Sequence, residues 1–169
     1  LATDGGLQAC NYDLAAFTVF GASNSGQTKE VIRLFDRLKT INHNSLYALT
    51  ANKNTKLETL AKQTFILSCE KEQAVAATKS VAEQALFYQA LLAGVNGKSV
   101  DKKLPQLADA FNTALTMQIK PEIIKAIANA HTIYFVGRND GVAEELTLKT
   151  NEITRKKSDF LEGTYACHG

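Results

Sequence analysis

Short apolar runs, each giving way to a small or polar turn and then to a segment of helical period, constrain the fold of this chain more than any other feature of it. Phe17-Thr18-Val19-Phe20 ends in Gly21, and the following residues 22–28 are small, polar and glycine-bearing. From Thr28 onward Val31, Leu34, Phe35 and Leu38 fall on one helical face, while Lys29, Glu30, Arg33, Asp36 and Arg37 fall elsewhere. A second cycle places a strand at Leu46-Tyr47-Ala48-Leu49, a turn at 50–54 and a short helix at 57–62; Thr64-Phe65-Ile66-Leu67 reads as a third strand. Strands of this kind, apolar enough to be covered on both faces and alternating with helices, predict an α/β fold with a parallel sheet flanked by helices.

Beyond Cys69 the period turns helical, with Val75, Thr78, Ala82, Ala85, Leu86 and Leu92 about one or two turns apart, and it stops near Gly94 and Gly97. Leu104, Leu107, Ala108, Phe111 and Leu115 form the stripe of another helix. Pro121 suits the first turn of a further helix that carries Ile123, Ile124 and Ile127. Residues 132–136 return to strand, 137–141 to loop and 142–156 to helix, with no further strand expected before Gly169. The expected organisation is a first α/β domain over 1–97, a helical connection over 98–130 and the truncated start of a second α/β domain over 131–169, the whole being part of a larger protein.

Composition narrows the function classes. With 19 Lys+Arg against 17 Asp+Glu, the formal charge is +2, which argues against a nucleic-acid binder that works by neutralising many phosphates. No run of about 18 apolar residues exists to span a membrane, and residues 1–6 lack the basic and apolar regions of a secretory signal. Cys10, Cys69 and Cys167 are an odd number at spacings that match no zinc or redox motif, which fits a reducing cytoplasm. His43, His131 and His168 are equally scattered, so no metal is expected.

Three constellations could carry chemistry. Ser23-Asn24-Ser25-Gly26-Gln27-Thr28 stands where a strand hands over to a helix, and unpaired N–H groups, the helix dipole and three hydroxyls there favour an anion such as phosphate. The spacing and lysine of a nucleotide P-loop are absent. The alternative is structural: Ser25 or Thr28 caps the helix and Gly26 relieves a tight turn. Residues 72–80 read as the N-terminus of the long helix, with Glu72 favouring its start and Ala74, Ala76 and Ala77 permitting close approach. In the last helix Glu145, Lys149 and Glu152 share one face, either as a surface ion-pair ladder or as a base with a cation one turn away.

Those same segments resemble a known family. The loop 23–28 is similar to the Ser-x-Ser-Gly-Glu-Thr loop of sugar isomerase (SIS) domains, and residues 72–80 resemble the Glu-x-x-Val-Ala-x-Thr-Lys segment that follows it. Ile133-Tyr134-Phe135-Val136-Gly137-Arg138, with Glu145, Leu148-Lys149, Glu152-Ile153 and His168-Gly169, resembles the start of the second SIS domain in the isomerase half of glucosamine-6-phosphate synthase and related deaminases. Gln27, Asn24 and Ala77 depart from the family's usual residues, which bears on substrate choice.

The resemblance implies flavodoxin-like SIS units that bind a hexose 6-phosphate between them, usually in a homodimer. Ser23, Asn24, Ser25, Gly26 and Thr28 fall on the phosphate loop, and Val75 on a sugar-contacting segment. Glu152 falls on the glutamate that moves a proton between C1 and C2, Lys149 on its supporting lysine, and His168 on the ring-opening histidine. The expected activity is aldose-ketose isomerisation of a hexose or amino-hexose 6-phosphate, coupled to amination or deamination at C2, without cofactor or metal. The alternative is a non-catalytic SIS sensor of sugar phosphates.

Overall fold

The computed structural model describes residues 6–69, 72–138 and 140–168. Residues 1–5, Asn139 of the expected loop 137–141, and Gly169 after His168 lie outside the described residues. The chain divides into two units, Leu1–Val100 and Asp101–Gly169.

The first unit runs α1 (Gly6–Ala9), β1 (Val19–Ala22), α2 (Lys29–Thr40), β2 (Leu46–Thr50), α3 (Lys56–Leu60), β3 (Gln63–Ile66) and α4 (Lys79–Val95). The strands form a parallel sheet in the order β1-β2-β3, with Val19 opposite Leu46 and Tyr47 opposite Gln63. Because side chains alternate along a strand, central β2 feeds two cores. Leu46 and Ala48 join Leu34, Phe35 and Leu38 of α2 and Leu57 of α3. Leu49 joins Ala51 and Leu67, under Phe65 and the α4 residues Phe87 and Tyr88. On that second face Phe20 stacks on Tyr47 at 5.2 Å between ring centroids, and Phe65 meets Phe87 at 4.9 Å. The expected coverage of both faces is therefore met here. All three strands point the same way, so the loops that follow them share one edge of the sheet, where open α/β folds bind ligands.

Several boundaries shift by a residue or two from the sequence reading, and two of the differences have a visible cause. Strand β1 continues through Gly21 to Ala22, and a Cβ on Gly21 would sit 2.9 Å from Val31 Cγ1 and 2.7 Å from Phe35 Cζ, so glycine lets α2 lie against the strand. The long helix begins only at Lys79, because residues 72–78 form an irregular segment whose Glu72 reaches forward to the helix start.

In the second unit a 3-10 turn at Asp101–Lys103 leads into α5 (Leu104–Thr116), followed by α6 (Pro121–Asn129), β4 (Ile133–Gly137), α7 (Val142–Thr154), β5 (Ser158–Glu162) and α8 (Gly163–His168). Pro121 opens α6 as expected. Strand β5 is a correction, since no further strand was expected there. It pairs in parallel with β4, Ile133 opposite Ser158 and Gly137 opposite Glu162. Its start is tied to α7: Ser158 N–H donates to Asn151 Oδ1 (3.2 Å) and Ser158 Oγ to the Thr147 carbonyl (3.0 Å). With Ser158, Asp159 and Glu162 around Phe160 and Leu161, backbone pairing makes this strand where hydrophobic alternation does not announce it. Among the described residues, no helix is long and apolar enough to cross a membrane.

Candidate functional site

Strand β1 delivers Ser23 to the sheet edge, where its N–H still donates to the Leu49 carbonyl at 2.9 Å. The chain then turns: Gly26 N–H donates back to the Ser23 carbonyl at 3.0 Å, with Gly26 at φ +64°. That conformation favours glycine, and an added Cβ would also overlap the Thr55 side chain. Thr55 is itself fixed, because it and Glu58 form a reciprocal capping box at the start of α3. The Gly26 carbonyl accepts the Leu57 N–H at 3.2 Å, so α3 holds the turn from below.

The hydroxyls of this loop do not cap α2. Thr28 occupies the N-cap position without a side-chain capping bond, and its Oγ1 pairs instead with buried Ser23 Oγ at 2.7 Å. Ser25 is exposed, and its Oγ accepts the Gln27 N–H at 3.2 Å. The first N–H groups of α2 have no intrahelical acceptor. An oxyanion placed there would meet those donors, the positive end of the helix dipole and three hydroxyls.

Asn24 anchors the loop at both its ends. Its carbonyl accepts from Thr50 Oγ1 (3.0 Å), Asn52 Nδ2 (2.8 Å) and the Ala51 N–H (3.1 Å). Its side-chain Nδ2 donates to Ser80 Oγ (2.9 Å) in the first turn of α4, and Ser80 is fully buried. Ser80 Oγ in turn donates to Glu72 Oε2 at 2.8 Å. Glu72 Oε2 also accepts the N–H groups of Ser80 (3.1 Å) and Thr78 (3.3 Å), while Oε1 accepts Thr78 Oγ1 (3.3 Å). Desolvation works against the charge of Glu72, but these donors from Ser80 and Thr78 outweigh it and hold the carboxyl down to about 2. One turn further along α4, Glu83 accepts the N–H groups of Ser68 (2.6 Å) and Cys69 (2.7 Å), fastening the loop after β3. Val75 stands fully exposed on the segment before α4, whereas Ala76 beside it is buried.

The second unit carries the charged constellation. Lys149 sits between two carboxylates on α7: Nζ donates to Glu152 Oε2 at 2.7 Å and lies 3.4 Å from Glu145 Oε1. Burial opposes the lysine's charge, but the Glu152 hydrogen bond and both carboxylates overcome it and raise the ammonium pKa above its ordinary value. Glu145 Oε1 is buried without a hydrogen bond, so the ion pair is its compensation. His168 ends α8, exposed, and among the described residues no hydrogen bond or ion pair joins it to Lys149 or Glu152. At the edge of the β4-β5 sheet a cavity of about 60 Å³, lined by Gly137, Ala143, Phe160 and Glu162, is too small for a hexose.

The sequence reading did not single out Ser80, Thr50, Asn52 or Thr55 as parts of the site. Only Thr55 left a local signal, the Thr-x-x-Glu spacing to Glu58. The others act through partners distant in the chain.

Residues 15–94 match the family model for the SIS domain. Among solved structures, the chain is similar to the C-terminal domain of glucosamine-fructose-6-phosphate aminotransferase from Francisella tularensis, with 17% identity, a TM-score of 0.73, and coverage of 97% of this chain and 51% of that one. It is also similar to glucosamine-6-phosphate deaminase from Thermotoga maritima, with 23% identity, a TM-score of 0.66, and coverage of 89% of this chain and 47% of that one. At these identities the likeness is one of fold, and the chain spans about half the length of the structures it matches. No curated protein matches the sequence significantly.

Proposed function

We propose, from the match of residues 15–94 to the SIS-domain family model, that the protein is a sugar-phosphate isomerase-type enzyme acting on a hexose or amino-hexose 6-phosphate. The observation that carries this reading is the loop 23–28: an uncapped helix start with three hydroxyls, braced by Asn24 and Gly26, at the ligand-binding edge of a parallel sheet. In this reading Ser23, Asn24, Ser25, Gly26 and Thr28 take the phosphate, whose binding supplies anchoring energy remote from the reacting carbons. Val75 contacts the sugar.

Glu152 is the base that carries a proton between C1 and C2, the usual work of a positioned carboxylate next to a carbonyl or imine. Lys149 remains an ammonium at neutral pH, so it serves as the cation that stabilises the developing enediolate oxygen. His168 opens the ring, since an imidazole can both give and take a proton. Coupling to amination or deamination at C2, a homodimeric state and a cytoplasmic location complete the proposal.

The test is turnover. Incubation with glucosamine 6-phosphate, following ketose and ammonia, should show conversion by the unmodified protein and a loss of roughly a hundredfold or more in Glu152→Gln. An unchanged rate in that variant removes Glu152 from the role of base. Tight binding without any turnover replaces the enzyme with a sugar-phosphate sensor.

A further inference from the structure

The two side-chain bonds that join Asn24, Ser80 and Glu72 have a direction. A carboxylate only accepts, so the single hydroxyl proton of Ser80 is committed to Glu72 Oε2 at 2.8 Å. That leaves a lone pair of Ser80 Oγ for Asn24, which must present its Nδ2 (2.9 Å) rather than its Oδ1. Ser80 is fully buried, and such a chain of bonds in a dry setting is both strengthened by polarisation and costly to leave half made. The Asn24 carbonyl is meanwhile pinned by Thr50, Asn52 and Ala51.

We propose that Glu72 is a positioning residue for the anion loop: acting through Ser80, its carboxylate fixes the amide of Asn24 and with it the placement of Ser23, Ser25 and Gly26. This rests on the reading of the loop 23–28 as a phosphate site and adds to it a residue some fifty positions away in the chain that never touches the ligand. The low pKa of Glu72 means that the relay keeps its polarity throughout the neutral range.

The relay differs from simple helix capping in what it requires of Ser80. Capping of α4 uses the backbone N–H groups of Ser80 and Thr78, which Ser80→Ala leaves in place, whereas the relay uses the hydroxyl that this variant removes.

The experiment compares the unmodified full chain, Ser80→Ala, Glu72→Gln and the double variant by calorimetric titration with glucosamine 6-phosphate. NMR of the Asn24 side-chain amide and the backbone amides of 25–28 is recorded without ligand. Ser80→Ala is expected to weaken binding about five- to tenfold, the scale of one buried hydrogen bond passed to a ligand. It should also shift the Asn24 side-chain signals while the Thr78 and Ser80 amides stay protected from exchange. The double variant should bind no worse than Ser80→Ala, because Glu72 acts through that hydroxyl.

Binding within twofold of the unmodified chain together with unmoved Asn24 signals overturns the proposal, and so does an additive loss in the double variant. If the unmodified chain binds no sugar phosphate, the phosphate reading of the loop fails. The ligand-free signals of Asn24 and residues 25–28 then still decide whether Glu72 positions the loop.

Discussion

The two units are written in the same alternation of strand, loop and helix, yet they are built to different depths. In the first, Phe35, Ala48, Leu49 and Leu57 are wholly buried, and both faces of a three-stranded sheet are covered. In the second, only Ala143 and Thr147 among the described residues are buried, while Tyr134 and Val136 of β4 are 57% and 62% exposed. Apolar burial contributes about 25 cal/mol per Å², so the first unit has the larger share of the stabilisation. Their chemical groups are held accordingly. The loop 23–28 draws its shape from α3, β2 and α4, which only a packed unit can supply. The Glu145-Lys149-Glu152 group needs nothing beyond the helical spacing of α7. Long-range precision resides in the deep unit and local charge in the shallow one.

The contrast breaks first on core truncation. Phe35→Ala should cost about 3–5 kcal/mol in urea unfolding, and Ile153→Ala, at a position 62% exposed in the second unit, no more than about 0.5 kcal/mol. Equal costs would show that depth of burial does not separate the units.

A smaller effect compares two glycines that share a left-handed conformation. Gly26 (φ +64°) faces the Thr55 side chain, whereas Gly141 (φ +83°), ahead of α7, has open space where a Cβ would go. Gly26→Ala carries both backbone and steric strain and should cost roughly 2–4 kcal/mol with loss of sugar-phosphate binding. Gly141→Ala carries the backbone part alone, roughly 1 kcal/mol, and should leave phosphate binding intact. Thermal melts and calorimetric titration read both.

The smallest effects lie in pH and have opposite signs. Glu72 has a depressed carboxyl in the first unit, so its contribution is present above the unfolded value of 4.5 and is lost as pH falls from there through about 2. Glu72→Gln should lower stability at neutral pH and flatten the acid limb of the stability profile, without changing the slope of the alkaline limb. Lys149 has a raised pKa in the second unit, so its contribution is present below the unfolded 10.5 and is lost as pH rises above that through the folded value. Lys149→Met should flatten the alkaline limb and, by leaving Glu145 and Glu152 without their cation, lower stability at neutral pH. Acid and alkaline titrations followed by circular dichroism check the pair, and a variant whose own limb keeps its slope contradicts the assignment.

What the sequence made legible follows the same division. The strand-loop-helix order, the position of the loop 23–28 and the shared face of Glu145, Lys149 and Glu152 rest on local period, and local period survives folding. Strand β5 was hidden because pairing with β4, not alternation, makes it. The start of α4 was misplaced because the carboxylate that caps it comes from an irregular segment. The Asn24–Ser80 bond joins residues 56 positions apart, and nothing local to either side chain announces the other.

The most direct test of the account is an amide-resolved NMR titration of the chain with inorganic phosphate. The account predicts saturable shifts centred on the N–H groups of 25–28 and the first turn of α2, with the start of α7 unmoved. Shifts centred on α7, or none at all near residue 25, would contradict it.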